Sequence, residues 1–332
     1  MNKKPTMNDV AKLAGVGRGT VSNYINGQKI KESNQAKIEV AIKKLGYIPN
    51  LQAKALKTAT NKNIVFIVPT NWTPFFSEMV FRMQEELSRH KYTMILENSH
   101  SSPEQEKEIL RMAVLNQVAG VITMSYSDIY NVMDFARNSN LVSIERFVSS
   151  NVPCISSDNK GGGQLAAKKM LEMNKKKILL IERESHHHTE TDLRSQSFEQ
   201  VLKEKRISID KFKATLSTDY HQQISNYLKE KFAQKKDTYD GIFAVTDEYA
   251  IIARKTLQAI NPELLKNTEI IGFDGARSSE YSPIEVDTIC QPISQIVKES
   301  VHILLKLIKG DEIKDYRRIL PIKFIKAKMN EF

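Results

Sequence analysis

Near the N-terminus, residues Gly15 to Gln28 read GVGRGTVSNYINGQ, four glycines and one arginine set among short hydroxyl and amide side chains. Arginine, asparagine and hydroxyl groups are the side chains that bond base edges and phosphates. The surrounding charge suits that chemistry. Residues 1–62 hold 12 Lys/Arg and 3 Asp/Glu, whereas the remaining 270 hold 37 and 36. A basic head on a nearly neutral body is the electrostatic footprint of a nucleic-acid-binding module. Charge alone would fit a lysine-rich soluble surface equally well.

Other chemistries find little support. Gly161-Gly162-Gly163 follows Asp158-Asn159 and lacks the spacing of a phosphate-cradling loop. His186-His187-His188 point in different directions on either a helix or a strand, with no carboxylate or cysteine at ligand spacing, so no metal is expected. There is no nucleophile elbow. A sugar-processing enzyme with an accessory DNA-binding head is therefore rejected, and neither catalytic residues nor a cofactor are expected. Cys154 and Cys290 are the only cysteines. They imply no disulfide framework and fit a reducing cytoplasm; Cys290 reads as a buried thiol. The N-terminus lacks an apolar signal region, and no 18-residue apolar run predicts a membrane span.

Three short helices must position the first stretch. Thr6 with Asp9 approximates a capping box, and Val10, Leu13 and Ala14 give the first helix its apolar face. Gly15 suits a C-cap and Gly17 the next N-cap. Thr20, Val21, Tyr24 and Ile25 continue at helical spacing until Asn26-Gly27. A third helix fits Ser33, as N-cap, through Leu45, with Ala36, Ile38, Val40, Ala41, Ile42 and Leu45 apolar and Gly46 ending it. Two helices on a glycine turn with a third closing the core make a helix-turn-helix domain.

TMNDVAKLAGVGRGTVSNYING, followed by LGYIPN and AKALKT, resembles the lactose/galactose repressor (LacI/GalR) family of bacterial transcription regulators. The resemblance implies base readers at Arg18, Gly19 and Asn23, at the start of the second helix and one turn on. Arg18 suits guanine and Asn23 adenine, while Gly19 allows close backbone approach. It implies phosphate contacts from Thr20, Ser22, Asn26 and Tyr47, and a hinge helix over Leu51–Thr58 in which Leu56, beside Ala53, wedges into the minor groove. Lys57 is expected to add sequence-independent affinity. A plain lysine-rich linker is the alternative for the hinge.

From Asn63 the texture changes. Ile64–Val68 is a continuous run suited to a buried parallel strand, and helix-like Phe76–His90 follows. Thr93–Leu96, Gly120–Met124, Ile178–Ile181, Gly241–Val245 and Ile270–Gly272 read as strands alternating with helices, including Pro103–Leu115 and Ile293–Gly310. Such alternation predicts doubly wound sheets with ligands at the carboxyl ends of strands. The expected fold is an all-α helix-turn-helix head plus an α/β bilobed, periplasmic-binding-protein-like body with two doubly wound parallel sheets. Expected boundaries are 1–48 for the head, 49–62 for hinge and linker, and 63–332 for the effector-binding and dimerisation body. Its N-terminal lobe would be 63–159 plus 291–320, and its C-terminal lobe 160–290 plus 321–332.

The resemblance also implies effector contacts in the crevice. Phe75 and Phe76 would stack on a sugar face, and Glu145 and Arg146 match an Asp-Arg pair. Arg194 opens Arg194-Ser195-Gln196-Ser197-Phe198, where the family has Gly in place of Ser197. Tyr220, Thr246, Asp247 and Asp274 complete the set. Alternatives stand beside these: core packing for Phe75, a helix cap for Asp247, a structural salt bridge for Arg194 or Asp274. The implied function is a cytoplasmic, nucleoid-associated repressor of carbohydrate-utilisation genes, controlled by a sugar or sugar phosphate. Its partners would be pseudopalindromic double-stranded operator DNA and a second copy, as a dimer without a tetramerising tail. The alternative is a catabolite-control-type regulator using a phosphorylated carrier protein as co-effector.

Overall fold

The computed structural model of the chain describes residues 5–25, 27–47, 61–124, 140–184, 191–215, 219–233 and 239–327. Asn26, the hinge residues Ala53, Leu56 and Lys57, and His186–His188 lie outside the described residues. The chain divides into two compact units, Met1–Asn61 and Lys62–Phe332.

The head consists of α1 (Met7–Ala14), α2 (Arg18–Ile25) and α3 (Glu32–Leu45). Thr6 and Asp9 form the capping box: the Asp9 carboxylate accepts the Thr6 N–H at 2.8 Å, and the Thr6 hydroxyl accepts the Asp9 N–H at 3.4 Å. Gly15 ends α1 in the left-handed region at φ 64°, a conformation that favours glycine. Val10, Ala11, Ala14, Val21, Ile38, Ala41 and Tyr47 form the core. Two expectations change. Leu13 is 49% exposed, because Ala11 rather than Leu13 completes the inward stripe with Val10 and Ala14. Ser33 is not the N-cap of α3: the helix starts two residues earlier, with Lys31 in the cap position, and Glu32 puts its negative charge in the first turn. On the same helix Ala36 and Val40 face solvent.

In the body, the first lobe is laid down by β1 (Asn63–Val68), α4 (Pro74–Arg89), β2 (Thr93–Asn98), α5 (Pro103–Leu115), β3 (Gly120–Thr123), β4 (Leu141–Ile144) and β5 (Cys154–Ser157). The second follows with α6 (Asn159–Glu172), β6 (Lys177–Arg183), α7 (Asp192–Glu204), β7 (Ser208–Ala214), α8 (Tyr220–Ala233), β8 (Gly241–Ala244), α9 (Asp247–Ile260), α10 (Pro262–Asn267), β9 (Glu269–Asp274) and β10 (Asp287–Cys290). Then α11 (Ile293–Lys309) and β11 (Arg317–Leu320) return to the first lobe, and β12 (Lys323–Ile325) to the second. The chain therefore passes between lobes three times.

Sheet one has the order β11-β5-β4-β3-β1-β2 and is parallel throughout; sheet two, β12-β10-β9-β8-β6-β7, is parallel except for the β10–β12 pair. The run Ile64–Val68 shows why both faces must be covered. Ile64, Phe66 and Val68 pack with Met79, Met83 and Leu87 of α4 and Ile296, Val301 and Leu304 of α11. Val65 and Ile67 pack on the other side with Leu110 and Ala113 of α5. Alternate side chains of one strand thus feed two helical layers. In sheet one the strand order reverses between β1 and β3, which marks the point where doubly wound sheets open a crevice at their carboxyl ends.

Candidate functional site

On α2, Val21 is buried while Arg18, Gly19 and Asn23 are exposed and Ser22 is half-buried. Positions 18, 19, 22 and 23 fall on one outward face because the helix turns every 3.6 residues. The first turn contains no acidic residue, so the positive end of the helix dipole is left free to face an anion. Thr20 is half-buried beside this face. Tyr47 is 8% exposed and packs into the head core, so its ring helps to fix the α3 end whatever its hydroxyl does. Tyr24 donates its hydroxyl to Glu39 at 2.9 Å, tying α2 to α3.

The body holds a second constellation where the carboxyl ends of both sheets meet. Six residues close a ring of hydrogen bonds. Glu145, just past β4, accepts the Ser157 N–H at 2.6 Å and the Asn159 amide at 2.8 Å. Asn159 in turn accepts Arg194 Nε at 2.7 Å, and Arg194 Nη1 lies 3.4 Å from Asp274 Oδ1. Asp274 accepts Gln291 Nε2 at 2.7 Å, and Gln291 accepts the Ser157 hydroxyl at 2.7 Å. All six are buried, none exceeding 6% exposure. Glu145 and Ser157 belong to the first lobe, Arg194 and Asp274 to the second, and Asn159 and Gln291 sit on two of the crossovers. Asn159, Ser157 and Gln291 were not among the expected contacts; a polar amide directly on each of these two crossovers was the available signal.

Arg194 is held on every side. Beyond its ring partners it donates to the Val245 carbonyl at 2.9 Å, lies 3.9 Å from Glu145, and stacks 3.7 Å over the Phe273 ring. The structural salt bridge weighed for Arg194 and Asp274 is therefore present. A guanidinium fork has enough donors to serve such a network and still meet a polyhydroxylated ligand.

Three buried carboxylates, Glu145, Asp247 and Asp274, share this one guanidinium. Burial pushes Asp274 up to about 8, with Arg194 opposing and the Asp247 charge adding to the rise. Burial likewise pushes Asp247 up to about 6, against hydrogen bonds from Thr288, Gly275 and Ala276. The carboxylates outnumber the cation at the floor, which favours proton retention there.

The other expected contacts have partners of their own. Thr246 caps α9, its hydroxyl accepting the Tyr249 N–H at 3.3 Å. Asp247 is the first helical residue, and its carboxylate instead takes the Gly275 N–H at 2.7 Å and the Thr288 hydroxyl at 2.5 Å. Tyr220 donates to Glu248 at 2.6 Å; burial and that bond raise its pKa. Phe75 and Phe76 are each 8% exposed, meet edge to face at 5.3 Å and belong to the core of the first lobe. Arg146 is half-buried, and its carbonyl accepts the Cys154 thiol at 3.1 Å. Cys290 is only half-buried rather than fully enclosed, because it ends β10 beside the Gly275 turn.

Close helix packing positions Arg194. A Cβ on Gly163 of α6 would stand 2.1 Å from the Arg194 carbonyl oxygen, so only glycine lets α7 approach this closely. The Ser197 hydroxyl, in the place of a glycine, donates to backbone carbonyls of Leu193 and Lys160. The glycine run that resembled no phosphate loop thus serves helix contact.

Comparison with known proteins agrees with both units. The family profile described as bacterial regulatory proteins, lacI family, matches residues 6–50, and the periplasmic binding protein domain matches residues 64–312. The sucrose operon repressor of Streptococcus mutans serotype c is 33% identical over 319 residues, covering 95% of this chain and 96% of its own. The ribose operon repressor of Halalkalibacterium halodurans is 30% identical over 322 residues, covering 96% and 95%. Among solved structures, the Lac repressor dimer bound to operator and an anti-inducer has a TM-score of 0.79 at 20% identity, with 98% of this chain and 99% of that one covered. A LacI-type regulator from Alkaliphilus metalliredigens complexed with D-xylulofuranose has a TM-score of 0.70 at 28% identity, covering 80% and 98%. With near-complete coverage by relatives that share both units in the same order, this chain belongs to the LacI family of bacterial transcription regulators.

Proposed function

We propose that the protein is a sequence-specific transcription repressor whose operator affinity is set by a carbohydrate bound between the lobes of its body. The observation that carries this reading is the buried ring linking Glu145, Asn159, Arg194, Asp274, Gln291 and Ser157 across the crossovers. A ligand that trades hydrogen bonds with those residues acts on both lobes at once and so biases their relative orientation. Operator and effector affinities are then reciprocally coupled. Relatives named as sucrose and ribose operon repressors support the carbohydrate class.

Arg18, Gly19 and Asn23 read base edges; Thr20, Ser22, Asn26 and Tyr47 contact or support contacts to phosphate. Ala53, Leu56 and Lys57 act at the hinge. In the crevice Arg194, Asp274, Glu145, Asp247 and Arg146 serve sugar hydroxyls, with Thr246 and Tyr220 ordering the wall. Phe75 and Phe76 present an apolar edge. Two copies bind a pseudopalindrome through their two-fold axis. No reaction is assigned to the crevice. Among the described residues no helix is long and apolar enough to cross a membrane, and the site of action is the bacterial cytoplasm, on the nucleoid.

The test selects binding sites from random duplex DNA, then measures operator affinity with and without each member of a sugar panel. A pseudopalindromic consensus whose affinity shifts with one sugar, together with a melting shift of the protein by that sugar, is expected. Selection that returns no consensus would remove the DNA-reading half. A panel that changes neither melting nor operator affinity would remove the sugar half.

A further inference from the structure

Asp274 stands on unusual backbone. Its φ is 135°, whereas the other non-glycine residues at positive φ among the described residues lie between 49° and 62°, in the small left-handed well. A side chain held outside that well strains the chain and stays there only where its surroundings over-determine it. For Asp274 those surroundings come from both lobes.

On the side of the second lobe, the Asp274 carbonyl accepts the Gln291 N–H at 2.9 Å, from the crossover that follows β10. Gly275 sends its N–H to the Asp247 carboxylate at 2.7 Å. It lies so close to β10 that a Cβ would stand 2.5 Å from the Cys290 sulfur. The next two residues are held by the first lobe. Ala276 packs against the core built from β1, α4 and α11, and the Arg277 N–H reaches Glu78 Oε2 at 3.4 Å. Glu78 is itself fixed on α4, its other oxygen accepting Arg82 Nε at 2.7 Å. Residues 274–277 thus form a strap from the ring to α4, tied to a different lobe at each end. A chain this short cannot absorb both ties by itself, and the departure from ordinary geometry falls at Asp274.

We propose that Glu78 is a positioning residue: by holding the strap on α4 it keeps Asp274 in the backbone geometry that turns its carboxylate toward Arg194 and Gln291. The acid of the second lobe then takes its place in the ring through a contact made by the first. This role rests on the reading of the ring as the effector site. It makes effector affinity depend on how the strap is seated, and parting of the lobes releases Asp274.

The experiment compares melting of full-length Asp274→Gly and Asp274→Ala, each alone and combined with Glu78→Ala or Glu78→Gln. At an ordinary φ alanine is the more stable of the two, whereas at φ 135° glycine is. Asp274→Gly should therefore melt about 2–12 °C above Asp274→Ala. Glu78→Ala should at least halve that gap, and Glu78→Gln, which keeps an acceptor for Arg277, should preserve most of it. A second arm follows melting of the two Glu78 single variants with ribose, fructose, glucose and sucrose. The sugar that stabilises the unmodified protein should bind Glu78→Ala about 2- to 10-fold more weakly, the worth of one hydrogen bond, and Glu78→Gln almost normally. Asp274→Ala as stable as Asp274→Gly overturns the strain, and a gap that Glu78→Ala leaves untouched overturns the anchor. A closed gap with unchanged sugar affinity overturns the link to the effector. If no sugar shifts melting, the carbohydrate reading falls; a gap that closes in Glu78→Ala then still supports the positioning role, and one that persists overturns it.

Discussion

Arg194→Met tests how far the crevice depends on one guanidinium. Methionine keeps a long apolar stem against Phe273 while removing the charge and donors that serve Asn159, the Val245 carbonyl and Asp274. Arg194 is 3% exposed and Asp274 6%, so water cannot replace those bonds without opening the lobes. Breaking a buried ion pair by removing one partner costs about 3–5 kcal/mol, mostly from the charge left behind. At roughly 2–4 °C per kcal/mol for a body of this order, the melting temperature should fall by about 6–20 °C. The assay is calorimetry of the full-length protein at pH 9, where the Asp274 carboxyl, pushed up to about 8, is ionised, repeated for Asp274→Asn and for the double variant. Neutralising Asp274 removes part of the orphaned charge, so the double variant should be less damaged than the sum of the singles by about 1 kcal/mol or more. A fall of under 2 °C for Arg194→Met, or strict additivity, would refute the view that the ring is a buried, mutually dependent network.

Three further outcomes follow from the same geometry and from the head. Asp274, pushed up to about 8, and Asp247, up to about 6, bind protons more tightly folded than unfolded, so the stability they lend is complete below the ordinary carboxylate range near 3.8 and is lost as pH rises to about 8. Denaturant unfolding should thus show a decline from pH 6 to pH 9 that Asp274→Asn flattens; an identical slope in the variant would contradict the assignment. Gly163→Ala should destabilise by about 1–3 kcal/mol by forcing α6 from α7, and should weaken effector binding by moving Arg194; a neutral melting curve would show that the helices separate freely. Arg18→Ala should lower discrimination between selected and random duplexes by about 1–3 kcal/mol, whereas Lys57→Ala should weaken both alike. Equal losses on both duplexes for both variants would remove Arg18 as a base reader.

Local spacing and chemistry decided much of this protein in advance. The Thr6–Asp9 cap, the glycine stops at Gly15 and Gly46, and the apolar run Ile64–Val68 each need only neighbours a few residues away, so helices, strand and family pattern could be read from them. The misplacements were local too: Leu13 against Ala11, and Ser33 against Lys31, where more than one residue could satisfy the same helical turn. The ring was another matter. It joins positions 145, 157, 159, 194, 274 and 291, and no periodicity relates an amide at one crossover to an arginine on a helix of the second lobe. The resemblance marked Glu145, Arg194 and Asp274 as crevice residues, but the structure alone turned them toward one another and added Asn159, Ser157 and Gln291. Likewise it put Phe75 in the core and left Trp72 in water, although both lie in one short loop-and-helix start. Sequence determines which elements form, since that rests on short-range backbone and hydrophobic preference. The approach of two lobes decides which polar groups lose water together, and so which of them must pair.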